Sequence, residues 1–293
     1  MDQAEELRRL IPKQKADFGG TRPERIIAIG SGKGGVGKSN IALNLGIELS
    51  MRGYSTYILD ADFGLANVNI LAGVTPKFTL SHLLQKGRSV EDLIIKGPGG
   101  LRIIPGASGN TRIANLNREE RQILCRNLSD LKGHVDYLIM DVGAGISQNV
   151  ISFLEKADEA LVVVTPEPTS MADAYGLIKA LSERSFGETI SLVVNRAQNI
   201  KEAKMTADKM KYLAMQYLEQ PVTWGGFLLE DSVIRRAVRQ RKPFSAFNRP
   251  SIAARSVSLI ADRIDNRPVI FETADIGATA SWKMKRWFER VFH

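Results

Sequence analysis

The chain has 293 residues, 44% of them hydrophobic and 25% charged, which is enough apolar material to bury a full core and excludes a wholly disordered chain. The net charge of +8 favours an anionic partner, such as a nucleotide, a nucleic acid, an acidic protein or a membrane surface. A single cysteine, Cys125, excludes an intrachain disulfide bond and favours a reducing compartment.

The first residues are charged and have no apolar core segment, so we predict no signal peptide. No stretch approaches the ~20 apolar residues that a transmembrane helix needs, and we expect a cytoplasmic chain. Residues 1–12 predict a short amphipathic helix with Ala4, Leu7, Leu10 and Ile11 on one side. A frayed terminus is the alternative for this segment.

From residue 25 onward, strand patterns alternate with helix patterns, which predicts an α/β fold with a mostly parallel, doubly wound sheet flanked by helices. The strand candidates are nearly continuous apolar runs, as buried parallel strands are. They cover residues 26–30, 56–60, 101–105, 137–141, 160–165, 191–195 and 225–229. The helix candidates cover residues 41–51, 118–131, 170–182, 203–217 and 250–264.

The loop between the first strand and the first helix contains the pattern G-x-x-x-x-G-K-S, from Gly32 to Ser39. In this strand–loop–helix context the pattern predicts a phosphate-binding loop, because glycine backbone N–H groups can fold around an anion. Lys38 would lie on the β- and γ-phosphates, and the Ser39 hydroxyl would bind Mg²⁺. A glycine-rich turn without a ligand is the alternative.

Aspartates follow two of the predicted strands at their carboxyl ends, where ligands bind in this architecture. Asp60 and Asp62 end the second strand, and simple loop capping is their alternative role. Asp141 follows four apolar residues, which is a Walker B pattern whose carboxylate reaches Mg²⁺, commonly through water.

Residues 266–280 predict a linker, and residues 281–293 predict a terminal helix with one apolar face. That face contains Met284, Trp287, Phe288, Val291 and Phe292. Lys283, Lys285, Arg286 and Arg290 outnumber Glu289 on the polar side. Aromatic residues opposite cations describe a helix that lies on an anionic membrane surface. Docking of the same apolar face onto the body of the protein is the rival interpretation.

Residues 235–242 form the densest basic cluster, with four arginines and one lysine. As a helix, this segment could neutralise phosphates and bind DNA non-specifically. A solvated helix face is an equally good interpretation, so we expect DNA to be a possible but not a favoured partner.

The loop carries a second lysine, Lys33, and its pattern K-G-G-x-G-K-S resembles the deviant Walker A ATPases of the MinD/ParA family of SIMIBI-type P-loop proteins. The resemblance implies ATP and Mg²⁺ as cofactors and a homodimer in which Lys33 reaches the nucleotide of the partner subunit. It implies that Asp60 helps to hold the water shell of Mg²⁺ and that Asp62 orients the attacking water. The nucleotide-binding residues that it implies in the loop are Gly32, Lys33, Gly34, Gly35, Val36, Gly37, Lys38, Ser39 and Asn40.

The same family resemblance assigns roles outside the loop. Asn195 would contact the adenine, and Glu230 with Asp231 would lie in the loop that covers base and ribose, although the usual I-P of that loop is Leu228-Leu229 here. A satisfied loop carboxylate is the alternative role of Glu230 and Asp231. Glu167 and Asp173 would be dimer contacts, with helix capping by Thr169 or Ser170 as the alternative. Gly143 stands where the family commonly has proline.

The start of the chain resembles the D-Q-A-x-x-L-R motif of the FlhG subfamily, the MinD-like regulators of flagellar number and placement. This resemblance implies that the N-terminal helix binds the SRP-type GTPase FlhF and stimulates its GTP hydrolysis. The residues of the motif are Asp2, Gln3, Ala4, Leu7 and Arg8. It also implies contact with flagellar basal-body switch (C-ring) proteins. A division-site ATPase of the MinD type and a DNA-partitioning ATPase of the ParA type are the alternatives.

We therefore expect three parts in the chain. Residues 1–24 would be the partner-activating helix with its linker, residues 25–265 the ATPase domain, and residues 266–293 the linker with the membrane-targeting helix. The ATP-bound dimer would associate peripherally with the membrane, at sites of flagellar assembly.

Overall fold

The structure, a computed structural model, describes residues 25–62, 66–84, 87–107, 135–184 and 186–265. The strands in this part are β1 Arg25–Ser31, β2 Thr56–Ala61, β3 Ile95–Lys96, β4 Arg102–Ile104, β5 Tyr137–Ala144, β6 Glu159–Val164, β7 Thr189–Ala197 and β8 Val222–Leu229. The α-helices are α1 Lys38–Met51, α2 Val68–Leu71, α3 Gln148–Glu155, α4 Pro168–Ser182, α5 Ile200–Leu218, α6 Ser232–Arg239, α7 Phe244–Phe247 and α8 Ile252–Ile264. Short 3₁₀ turns occupy Leu80–Leu84, Val90–Asp92 and Pro98–Gly100.

The strands form one sheet in the order β3-β4-β2-β5-β1-β6-β7-β8. Neighbouring strands are parallel except β3 and β4, which are antiparallel. The phosphate-binding loop therefore leaves the sheet from β1, between β5 and β6. This central position places it beside the carboxyl ends of several strands, where the aspartates lie.

Both faces of the sheet are covered, because alternate residues of each central strand point to opposite sides. On one face, Ile27 packs with Ile41 of α1 and Val257 of α8. On the other face, Ala28 belongs to a cluster that includes Phe153 of α3 and Leu177 of α4. The central strands are thus buried on both sides, which explains their continuous apolar sequences.

Ionic contacts tie α8 to the edge of the sheet where the parallel strands begin. Glu159, fully buried at the start of β6, pairs with Arg25 at 2.8 Å and with Arg263 of α8 at 2.6 Å. The Arg25 guanidinium also donates to the backbone carbonyl of Ile264, at the last turn of α8. The first strand and the last described helix therefore meet at this edge, opposite to the phosphate-binding loop.

The predicted fold class is confirmed, and each of the seven predicted strands is present. The two-residue strand β3 was not predicted, because two residues are too few to show a periodicity. Helix α3 was also not among the predicted helices. The predicted helices at 1–12 and 118–131, Cys125, the linker and the terminal helix lie outside the described residues. Among the residues that the structure covers, no helix is long and apolar enough to cross a bilayer.

Candidate functional site

The loop between β1 and α1 has the backbone that its glycines predict. Gly35 and Gly37 have φ values of 78° and 95°, in the left-handed region that favours glycine. Gly32 is required for a different reason, since a Cβ atom there would lie 2.1 Å from the backbone carbonyl of Asp173. The loop is therefore packed against the first turns of α4.

Lys38 and the strand-end aspartates converge beneath this loop. The Lys38 Nζ atom lies 3.6 Å from Asp141 Oδ1 and 3.8 Å from Asp62 Oδ2. Lys38, Asp60 and Asp141 are buried, whereas the Asp62 side chain is 21% exposed. The structure thus brings together one cation and three carboxylates that the sequence placed on three separate segments.

Asp60 organises the loop that follows β2. Its Oδ2 atom accepts hydrogen bonds from the backbone N–H groups of Asn67 at 2.8 Å and Val68 at 3.0 Å, and its Oδ1 atom accepts one from Asp62 at 3.2 Å. Burial and the neighbouring Asp141 charge raise the pKa of Asp60 to about 7, against these three hydrogen bonds, which lower it. Asp60 therefore caps the loop that follows β2, which is the alternative role that the sequence left open for it.

Asp141 is the carboxylate that best fits a divalent cation. Burial raises its pKa, while Lys38 lowers it. Both of its carboxylate oxygens are buried, and Lys38 Nζ, 3.6 Å from Oδ1, is too distant for a hydrogen bond of ordinary length. The Ser39 hydroxyl lies beside this carboxylate. The Ser39 hydroxyl and the Asp141 carboxylate supply hard oxygen ligands of the kind that Mg²⁺ prefers, so these residues fit the ion.

A cleft of about 830 Å³ opens beside the loop, next to Gly37 and Asn40. It brings together three residues that the sequence placed near the base, namely Asn195, Glu230 and Asp231. Leu228, Ile234 and Val238 give it apolar walls, which suit a flat heterocycle. The cleft lies beside the phosphate-binding loop, where the sequence predicts the nucleoside part of a nucleotide.

The polar residues of this cleft already have protein partners. The Asn195 side-chain amide donates to the backbone carbonyl of Val36 at 2.7 Å and accepts from the N–H of Arg196. Asp231 is the N-cap of α6 and accepts from the N–H of Val233 at 2.8 Å. These contacts match the satisfied-loop interpretation of Asp231, while contact with base and ribose stays a prediction for Asn195, Glu230 and Asp231.

The second lysine of the loop lies on the outer surface. Its Nζ atom is 3.0 Å from the Thr169 hydroxyl and 3.4 Å from the Glu167 carboxylate. Glu167 and Asp173 are exposed beside the loop, as dimer contacts must be, and this role stays a prediction. Neither Thr169 nor Ser170 is the N-cap of α4, which begins after Glu167, so the capping alternative is wrong.

Two residues of the cleft were missed by sequence reasoning. Thr165, at the carboxyl end of β6, has a buried hydroxyl without a partner in the described part of the chain. Its position at a strand end is the same signal that identified the aspartates. Arg196 has a left-handed backbone with φ of 57°, which is uncommon outside glycine and marks a constrained turn beside the cleft.

The fold and this site define a P-loop protein that binds a nucleoside triphosphate and carries two lysines in its loop. A family model described as an AAA domain matches residues 24–190. The antiactivator FleN of Pseudomonas aeruginosa is 38% identical over 254 residues, which cover 86% of this chain and 90% of FleN. The flagellum site-determining protein YlxH of Helicobacter pylori is 31% identical and covers 86% of this chain and 85% of its own length.

Solved structures of MinD proteins support the same family relationship. The cell division ATPase MinD of Pyrococcus furiosus superposes with a TM-score of 0.65 at 26% identity, covering 83% of this chain and 99% of MinD. MinD of Pyrococcus horikoshii, solved with Mg-ADP, gives 0.65 at 25% identity over 83% of this chain and 96% of its own. The chain belongs to the MinD/ParA family of P-loop ATPases, in the FlhG group with FleN and YlxH.

Proposed function

We propose that the chain is a Mg²⁺-ATP-dependent switch ATPase that forms a homodimer on ATP and regulates the number and placement of bacterial flagella. The observation that carries this proposal is the position of the second loop lysine, Lys33, whose side chain is 40% exposed, whereas Lys38 is buried. A lysine on the outer surface can reach the nucleotide of a second subunit.

The residues around the loop have separate proposed roles in ATP binding and hydrolysis. Lys38, buried against Asp141, offers a desolvated cation to the β- and γ-phosphates. Ser39 and Asp141 would hold Mg²⁺, with Asp60 beside them, and the ion would neutralise charge on the transferred phosphate. Asp62 is the partly exposed carboxylate, so it orients the attacking water, while Asp60 fixes the loop from which Asp62 projects.

The flagellar role is supported by the similarity to the flagellum site-determining protein YlxH and by the D-Q-A-x-x-L-R start. We propose that residues 1–24 stimulate the GTPase FlhF, with Gln3 near its nucleotide. Basal-body switch proteins would be further partners. The apolar face around Trp287 and Phe288 would attach the dimer to anionic lipid, because two weak anchors bind together far better than one.

The dimer is tested with matched lysine variants. Lys38→Ala should abolish ATP binding, measured by fluorescent ATP titration, because it removes the phosphate contact. Lys33→Ala should bind ATP within about threefold of wild type but stay monomeric with ATP in analytical ultracentrifugation. A Lys33→Ala protein that still dimerises and hydrolyses ATP would overturn the proposed switch.

The two terminal roles are tested separately. Deletion of residues 281–293 should abolish ATP-dependent co-sedimentation with liposomes that contain anionic lipid. A synthetic peptide of residues 1–20 should stimulate GTP hydrolysis by purified FlhF, and its Gln3→Ala version should not. Without stimulation by peptide or full-length protein, the division-site function of MinD relatives becomes the better proposal.

A further inference from the structure

The helix that follows the phosphate-binding loop carries a polar side chain inside the core. Asn44 of α1 is fully buried, and its neighbours Leu43 and Leu45 are fully buried as well. An amide in such surroundings costs free energy unless it is hydrogen-bonded, and an apolar side chain would avoid that cost. The hydrogen bonds of Asn44 therefore indicate what this polar group does.

Asn44 makes hydrogen bonds that join two distant parts of the chain. Its amide donates to the backbone carbonyl of Asn40 at 2.7 Å, one turn earlier in α1. Its Oδ1 atom accepts from the backbone N–H of Ser245 at 2.9 Å and from the Ser245 hydroxyl at 2.7 Å. A backbone N–H can only donate and a carbonyl can only accept, so these partners fix the orientation of the amide. Asn44 thus ties α1 to α7, which lies 201 positions later in the chain.

Both ends of this contact lie against the nucleotide cleft. Asn40 lines the cleft, and so does Phe244, the residue before Ser245. Phe244 is 1% exposed and packs in the same core cluster as Ile41 of α1. Residues 240–243 connect α7 to α6, whose apolar side chains line the cleft as well. The position of α7 therefore decides the shape of the apolar wall.

Helix α7 needs such an anchor because it is too short to be stable alone. It has four residues, and a single helical turn does not form independently in water. Two hydrogen bonds from Ser245 to one buried acceptor give α7 one position, whereas apolar packing alone would allow it to slide. The position of the Phe244 ring along the cleft therefore depends on Asn44.

We propose that Asn44 is a positioning residue for the nucleoside part of the bound nucleotide. As a fully buried residue it acts through Phe244, which it holds where the ring completes the apolar wall against the base. This inference rests on the proposed ATP function, because the cleft must take a nucleoside. Lys38 and Ser39 at the start of the same helix act on phosphate and Mg²⁺. Helix α1 therefore positions both ends of the nucleotide.

The same helix offers a matched control. Glu48, one turn after Asn44 and 9% exposed, accepts from the Ser258 hydroxyl of α8 at 3.0 Å. Ser258 thus donates to a polar residue of α1 as Ser245 does, but Glu48 and Ser258 lie at the contact between α1 and α8, outside the lining of the cleft. Ser258→Ala therefore removes a comparable hydrogen bond and leaves α7 in place.

The experiment compares a nucleotide with its phosphate part alone. Isothermal titration calorimetry of the full chain with Mg²⁺ measures ADP, which avoids hydrolysis, and inorganic pyrophosphate. Asn44→Ala should weaken ADP binding at least about tenfold, and Ser245→Ala about threefold because it keeps the backbone N–H bond. Pyrophosphate should bind every variant within about twofold of wild type, since its contacts lie in the loop, and Ser258→Ala should bind both ligands within about twofold.

The outcomes separate this role from general damage to the fold. The double variant Asn44→Ala with Ser245→Ala should bind ADP no more weakly than Asn44→Ala alone, because both substitutions break the same contact. Should Asn44→Ala fail to fold in thermal unfolding, Ser245→Ala decides the question. Equal losses for ADP and pyrophosphate, or an unchanged ADP affinity in Ser245→Ala, would overturn the role of Asn44 alone. A wild-type chain that binds neither ligand would overturn the proposed function together with it.

Discussion

Two opposing influences set the pKa of Asp60. Burial and Asp141 disfavour its charged form, and three backbone N–H groups favour it. The outcome is a pKa of about 7 against an ordinary value of 3.8. A carboxyl group that is half neutral near pH 7 is a poor permanent ligand on its own. It can still hold a loop in place in either protonation state, because a protonated carboxyl keeps acceptor oxygens.

This pKa predicts how the stability of the nucleotide-free protein depends on pH. The folded state binds the Asp60 proton more tightly than the unfolded state, so its stabilisation is complete below about pH 4 and is lost as pH rises through about 7. Wild type should lose up to a few kcal/mol of unfolding free energy between pH 5 and pH 8 relative to Asp60→Asn, since one pKa unit is about 1.4 kcal/mol.

Urea unfolding at both pH values, without Mg²⁺ or nucleotide, measures this difference, and Asp208→Asn on the surface is the matched control. Asp141→Asn should also reduce the pH dependence, because it removes the neighbouring charge. Parallel pH profiles of wild type and Asp60→Asn would contradict the prediction.

Two glycines of the phosphate-binding loop make a matched pair. A Cβ atom at Gly32 would overlap the Asp173 backbone, whereas a Cβ atom at Gly34 meets nothing within 4 Å. We expect Gly32→Ala to cost more than about 1 kcal/mol of unfolding free energy and Gly34→Ala less than about 0.5 kcal/mol. Thermal unfolding without nucleotide decides this, and equal effects would show that α4 moves aside for a methyl group.

At the scale of elements, the position of α8 depends on the buried carboxylate of Glu159. Glu159 makes ion pairs with Arg25 and Arg263 and accepts a hydrogen bond from the Ser191 hydroxyl. Glu159→Gln keeps the shape but leaves two arginines without their counter-charge. We expect a loss of about 3 kcal/mol in urea unfolding.

The control for this prediction is Glu155→Gln. That carboxylate is 19% exposed and lies 3.5 Å from Lys156 and 3.8 Å from Arg184. Partial solvation should limit its loss to about 1 kcal/mol. If the two variants lose the same stability, the buried network does not fix α8.

At the level of these elements, part of the fold and of the candidate site could be predicted from the sequence. Continuous apolar runs identified the central strands, because burial on both faces leaves no polar position. Polar residues at strand ends identified Asp60 and Asp141 for the same topological reason, and the glycine-rich loop pattern identified Lys38. In contrast, the bond from Asn195 to Val36 joins residues 159 positions apart, and no local pattern signals it. The sequence likewise does not indicate that Asp231 is the N-cap of α6.

For the whole molecule, membrane binding should be cooperative. If each subunit contributes one weak anchor, binding to anionic vesicles should require ATP and rise steeply with protein concentration. It should also fall at high salt, because the cations around Lys285 are screened. Lys33→Ala supplies the monomeric comparison at the same concentration. Vesicle binding that is linear in protein concentration and indifferent to ATP would contradict this prediction.

The contact between the Arg25 guanidinium and the Ile264 carbonyl places the two ends of the described body side by side. A short flexible linker could therefore join residue 265 back to residue 25, and the chain could be reopened at an exposed turn such as Gly53, where φ is already 91°. A circularly permuted ATPase of this kind should keep its nucleotide site. It would also free both natural terminal segments to be grafted elsewhere, so that recruitment and nucleotide timing could be engineered as separate modules.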